Sequence, residues 1–245
     1  MGQSSRHLQY RNCILILAHM RCGSTALSNI LCSRSDVSGY GETHVRHDGR
    51  GALGRLSINL RRRGGWSPGS TVLFDKILHN RHDCAAPAQF FEARAIFVVR
   101  RPGDAIRSIV DLYARLGRDE YATHEHAAVY YVERLQALKA MWPRFADHRR
   151  IGLTHEGLVA CPDRVLADIS ARLDFRPPLA NHYVSPAASR IGGGGDPLVS
   201  ARHDHIVADR TIADQADATI EASVELTEQA NALYREMIAS FRSVT

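Results

Sequence analysis

Apolar and polar positions along the chain follow two periods. Mostly branched apolar runs at Cys13 to Ala18, Thr71 to Ile77 (which carries Asp75 and Lys76) and Arg94 to Val99 have the length of buried strands, and a fourth strand is expected near residue 150. Between them apolar residues recur at helical spacing. Ala26, Leu27, Ile30 and Leu31 mark one helix, and Ala52 to Arg63 a second that Gly64-Gly65 stops. Ile106, Ile109, Val110, Leu112 and Tyr113 mark a third. A longer one covers roughly Glu125 to Phe145, with Val129, Val132, Leu135, Leu138 and Trp142 as its core stripe. Pro162 opens a helix through Leu173, and the last helix is expected over roughly Ala213 to Phe241. Strands alternating with helices predict an α/β fold with three layers, α/β/α, and a mainly parallel sheet.

At 245 residues, this pattern fits a single domain. Its core spans about residues 12–175; a Gly/Pro-rich stretch over 176–212 and the C-terminal helix in 213–245 follow. Hydrophobic residues make up 44% and charged residues 23%, the balance of a globular protein in water. A net charge of +5 suits an anionic ligand but is too mild to single out nucleic acid, and no nucleic-acid partner is expected. No apolar run is long enough to cross a membrane and no signal-peptide core follows the N-terminus, so a cytoplasmic protein is expected. The five cysteines are scattered and read as reduced thiols; the close histidine pairs form no ligand set with them, and no metal is expected.

Candidate chemistry concentrates in the turn after the first strand. Strand, small-residue turn and helix in succession put free backbone N–H groups of Cys22, Gly23, Ser24, Thr25 and Ala26 at a helix N-terminus, an arrangement that attracts phosphate. Set against G-x-x-x-x-G-K-[ST], the turn has Ala18 and Gly23 for the glycines, Ser24 for the lysine and Thr25 for the hydroxyl residue. The lysine is missing, and Arg21 brings the positive charge from within the turn instead. This departure argues against an ATPase or kinase.

Arg21-Cys22-Gly23-Ser24-Thr25 resembles the R-S-G-S/T-T loop of sulfotransferases that use 3′-phosphoadenosine 5′-phosphosulfate (PAPS), with Cys22 for the usual serine. Arg100 to Ser108 resembles that family's second signature, R-x-P-x-D-x-x-x-S. Lys76 emerges from its strand as in the family's K-T-P or K-T-H segment. Gly41-Glu42-Thr43 resembles the glutamate segment of the tyrosylprotein type, although His44 departs from the arginine there. Ile151 to Leu158 resembles the strand ending in Y-E-D-L, and Gly194-Gly195-Asp196-Pro197 is a loose counterpart of the C-terminal loop over the nucleotide.

The resemblance implies a P-loop nucleotide-kinase-like fold and sulfuryl transfer from PAPS, leaving adenosine 3′,5′-bisphosphate (PAP). It implies that Arg21, Ser24, Thr25 and the turn amides hold the 5′-phosphosulfate, and that Arg100 and Ser108 hold the 3′-phosphate. Glu42 would act as general base, with His79 as the alternative, and Lys76 and Arg21 would stabilise charge on the leaving group. Gly193 and Gly194 would belong to a nucleotide lid, or else to a linker. Arg61-Arg62-Arg63 reads as a solvated helix end or as a rim attracting an anion. The acceptor reads as a small-molecule natural product or a carbohydrate hydroxyl. Two other classes stay open: an ATP–Mg²⁺ kinase of small molecules, and a non-catalytic nucleotide- or RNA-binding protein. Oligomeric state is not legible.

Overall fold

The computed structural model describes residues 8–186 and 203–242. Gly193 and Gly194, with the rest of the four-glycine run, lie outside the described residues.

Five strands form one wholly parallel sheet in the order β2-β3-β1-β4-β5. They are β1 (Cys13–Ala18), β2 (Val37–Ser38), β3 (Val72–Ile77), β4 (Arg94–Val99) and β5 (Arg150–Thr154). The central strand β1 pairs Ile16 with Lys76 on one side and with Ile96 on the other. Every residue of β1 is buried, because helices cover both faces and a parallel sheet has no wet side. The apolar runs therefore read true, and β4 has the predicted bounds. The two-residue β2, at the edge beside β3, carried too little pattern to be read.

The helices are α1 (Ser24–Cys32), α2 (Ala52–Arg62), α3 (Pro102–Arg115), α4 (His124–Met141), α5 (His155–Ala160), α6 (Pro162–Arg172) and α7 (Val224–Arg242). Two differ from the predicted pattern. In α4, Val129 is exposed, whereas Tyr130, Tyr131 and Arg134 are buried. This helix packs on β1, α3 and α7 together, so it is enclosed on several sides and shows no single apolar stripe. Arg134 can be buried there because its guanidinium is spent on protein acceptors. It donates to Ala18 O at the end of β1 (2.9 Å), to Ile77 O at the end of β3 (3.0 Å) and to Asp83 Oδ1 (3.0 Å).

The second departure is the last helix, which begins at Val224 rather than near Ala213. The preceding segment crosses the N-terminus of α3 instead. Asp217 accepts there from the backbone N–H groups of Gly103 (3.0 Å) and Asp104 (2.8 Å). A carboxylate on the first turn satisfies two orphan donors and the helix dipole together, which competes with continuing its own helix.

The chain leaves β1 toward β3 and leaves β4 toward β5. Its connections therefore diverge between β1 and β4, and a crevice opens at the carboxyl ends of those strands.

Candidate active site

In that crevice lies a cavity of about 430 Å³, walled by the residues that follow β1, β3, β4 and β5. The turn after β1 is its floor. Arg21 (φ 63°) and Gly23 (φ 80°) both take left-handed backbone, which bends the chain sharply into α1. A side chain at Gly23 would be strained there, and its Cβ would sit 2.5 Å from His155 Nδ1. Gly23 caps α1 with no side-chain hydrogen bond, so the first amides of the helix stay available to a ligand. Gly23, Ser24, Thr25 and Ala26 line the cavity. Cys22 does not; its thiol is fully buried, and burial pushes its pKa up, so it is not a nucleophile.

The missing loop lysine has a substitute from the neighbouring strand. Lys76, buried on β3, places its ammonium 3.2 Å from Thr25 Oγ1. The next residue back, Asp75, is a buried carboxylate with four donors: Thr43 N–H (3.1 Å), Thr43 Oγ1 (2.9 Å), Lys76 N–H (2.9 Å) and His47 Nε2 (3.0 Å). His47 Nδ1 in turn meets the Tyr10 hydroxyl at 3.1 Å. This buried network fastens the 42–47 loop to β3 and so seats Glu42 beside Lys76. Both line the cavity, and Glu42 is 8% exposed. Its Oε1 has no hydrogen bond, and His44 Nδ1 stands 3.4 Å from it. Burial raises the Glu42 pKa, and the Lys76 charge opposes that rise.

Across the cavity, Arg21, Arg100 and Ser108 converge. Arg21 Nε donates to Ser108 Oγ (3.0 Å), and Arg100 Nη1 donates to Arg21 O (3.1 Å). Arg100 Nε is buried without a partner. The turn is held in register by His19, which sequence reading missed. Its Nε2 accepts from Arg100 N–H (3.0 Å), so the ring proton sits on Nδ1 and is donated to Met20 O (2.8 Å). Burial lowers the His19 pKa to about 3, which keeps this neutral tautomer.

The candidate residues thus fall into two groups. Glu42, Lys76 and Thr25 stand together, and Arg21, Arg100 and Ser108 stand together. Arg21 turns its guanidinium toward Ser108, the group that the resemblance assigns to the 3′-phosphate. His79 is not among the cavity-lining residues. Its ring packs on Tyr130, and Leu78 faces the cavity in its stead. His155, the first residue of α5, was also missed; it lines the cavity with Nδ1 buried and unpartnered, and burial lowers its pKa to about 4. No local pattern marks a single histidine at a strand end. The outer wall comes from Tyr183, His203, His205 and Ile206.

No protein-family model matches the chain, and no curated protein matches it. Solved structures do. A sulfotransferase domain from the Synechococcus PCC 7002 olefin synthase superposes with TM-score 0.62 at 19% identity, covering 91% of this chain and 94% of that one. The fold is that of the sulfotransferases. A sulfotransferase domain from the curacin biosynthetic pathway gives 0.56 at 19% identity, covering 90% and 96%. Mouse sulfotransferase SULT7A1, complexed with PAP, gives 0.54 at 12% identity, covering 98% and 92%. The likeness in fold therefore extends over most of the chain.

Proposed function

We propose that this chain transfers a sulfuryl group from PAPS to the hydroxyl of a small-molecule or carbohydrate acceptor. The observation that carries the reading is the presence of two cationic groups at separate places in one cavity, joined by a helix N-terminus. Lys76 with Thr25 offers one anion position; Arg21, Arg100 and Ser108 offer the other. A nucleotide with anionic groups at both its 5′ and 3′ positions would offer an anion to each, and the complex of the mouse enzyme with PAP supports the choice. Three buried polar atoms without partners, Glu42 Oε1, Arg100 Nε and His155 Nδ1, surround the space and fit a polar ligand.

In this scheme the α1 amides and Thr25 hold the 5′-phosphosulfate, and Arg100 and Ser108 hold the 3′-phosphate. PAPS supplies an activated sulfuryl group and a good leaving phosphate. Glu42 takes the proton of the acceptor hydroxyl as its oxygen bonds to sulfur. Lys76 stabilises the negative charge that gathers on the phosphate oxygen as the sulfur–oxygen bond breaks. In a P-loop kinase the residue equivalent to Thr25 ligates Mg²⁺; here an ammonium stands beside that hydroxyl, which favours sulfuryl over phosphoryl transfer.

Incubation with PAPS labelled in the sulfuryl group and a panel of hydroxylated acceptors tests this. Acceptor-dependent transfer of label is expected, and Arg100→Ala is expected to lose it along with PAP binding, since it removes about 1.5–3 kcal/mol of charged hydrogen bonding. Transfer from ATP–Mg²⁺ in place of PAPS would overturn the proposal, as would an Arg100→Ala variant that binds PAP as the parent does.

A further inference from the structure

Resting on the sulfuryl-transfer reading, we infer that the acceptor is a hydrophobic alcohol held by Met20, Leu78 and Leu112, not a carbohydrate. Once the residues assigned to the nucleotide and those contributed by the chain after β5 are set aside, the cavity is lined by these three apolar side chains together with Glu42 and Lys76. Chain connectivity brings them to the proton-accepting end. Leu78 lies two residues past Lys76, on the same side of its extended segment. Lys76 N–H donates to Gly41 O (3.2 Å), which seats Glu42 alongside. Leu112 stands one helical turn beyond Ser108 on the cavity face of α3. Met20 precedes Arg21 in the turn.

This end of the cavity is tied together by hydrogen bonds within the protein. The Tyr130 hydroxyl accepts from Met20 N–H and donates to Leu78 O, both at 2.8 Å, so a single group fixes two of the three walls. The Tyr113 hydroxyl turns to Met20 Sδ at 3.9 Å. The Tyr113 and Tyr130 phenols are thus committed within the protein. The charged groups beside Glu42 are Lys76, which the reaction also uses, His44, its side chain 45% exposed, and the exposed Arg81. A sugar ring presents several hydroxyls, each of which loses water on entry and needs a partner here. An alkyl or alicyclic alcohol needs a partner for one hydroxyl, and Glu42 is that partner.

The test is a homologous series of straight-chain primary alcohols from ethanol to hexanol, beside methyl β-glucoside, at saturating PAPS. The expected result is a rise in kcat/KM of about fourfold per added methylene, the worth of moving one CH₂ group out of water, with glucoside well below hexanol. Leu112→Asn, at a half-buried position that tolerates the change, is expected to flatten that rise while PAP affinity by calorimetry stays at the parent value; Leu112→Ala should flatten it in part. A flat series in the parent, or glucoside equal to or better than hexanol, overturns the inference. PAP binding with transfer to neither class also overturns it and leaves the nucleotide assignment standing. Loss of PAP binding by the parent protein removes the sulfuryl-transfer reading and this inference together.

Discussion

Replacing Glu42 with glutamine is expected to lower kcat/KM about 10²- to 10⁴-fold, the usual contribution of a positioned general base, with PAP affinity unchanged. The substitution keeps the shape and the contacts of a buried side chain and removes only its capacity to take a proton. The pH dependence supplies an independent sign. In the proposed role Glu42 can take a proton only when ionised, and burial raises its pKa above the ordinary value of a glutamate. Activity should therefore fall as pH drops through that raised value, with the acid limb of kcat/KM displaced upward from the ordinary carboxylate position. Glu42→Gln should abolish this limb. A limb that persists unchanged in the variant, or a variant with full activity, would return the role of base to another group, His79 first.

The largest stability effect is expected at Arg134. Arg134→Met deletes the donors to Ala18 O and Ile77 O and strands Asp83, whose side chain is 1% exposed and paired to Arg134 at 2.9 Å. Breaking a buried pair in this way costs about 3–5 kcal/mol. For a domain of this size the melting temperature should fall by roughly 2–4 °C per kcal/mol, about 6–20 °C in all. Adding Asp83→Asn should restore part of the loss by removing the uncompensated charge. A melting temperature within 2 °C or so of the parent would mean that the guanidinium is not the clamp between β1 and β3 described above.

The sequence made some of these elements legible and hid others for physical reasons. The run Arg94 to Val99 matches β4 residue for residue, because a strand buried on both faces is apolar throughout. Lys76 could be noticed because it emerges from its strand as in the K-T-P or K-T-H segment of sulfotransferases; the structure sets its ammonium beside Thr25. Arg134 could not: on a helix enclosed by β1, α3 and α7, a buried arginine reads as a break in the stripe, and Val129, which seemed to complete that stripe, faces solvent. The network of Tyr10, His47 and Asp75 joins residues far apart in the chain, and nothing local announces it. The start of the last helix was misread because the use of Asp217, capping α3, depends on tertiary structure. Near Glu42 a histidine at position 79 attracts notice in the sequence, whereas the residue that lines the cavity is Leu78, which looks like ordinary core.

The central claim is that one cavity grips a nucleotide through both its 5′ and 3′ anionic groups. Calorimetric titration of the parent protein with PAP, and separately with ATP–Mg²⁺, tests it most directly. One molecule of PAP should bind per chain, about 100-fold or more tighter than ATP–Mg²⁺, the equivalent of roughly 2.7 kcal/mol from contacts to the 3′-phosphate. Equal or tighter binding of ATP–Mg²⁺ would contradict it.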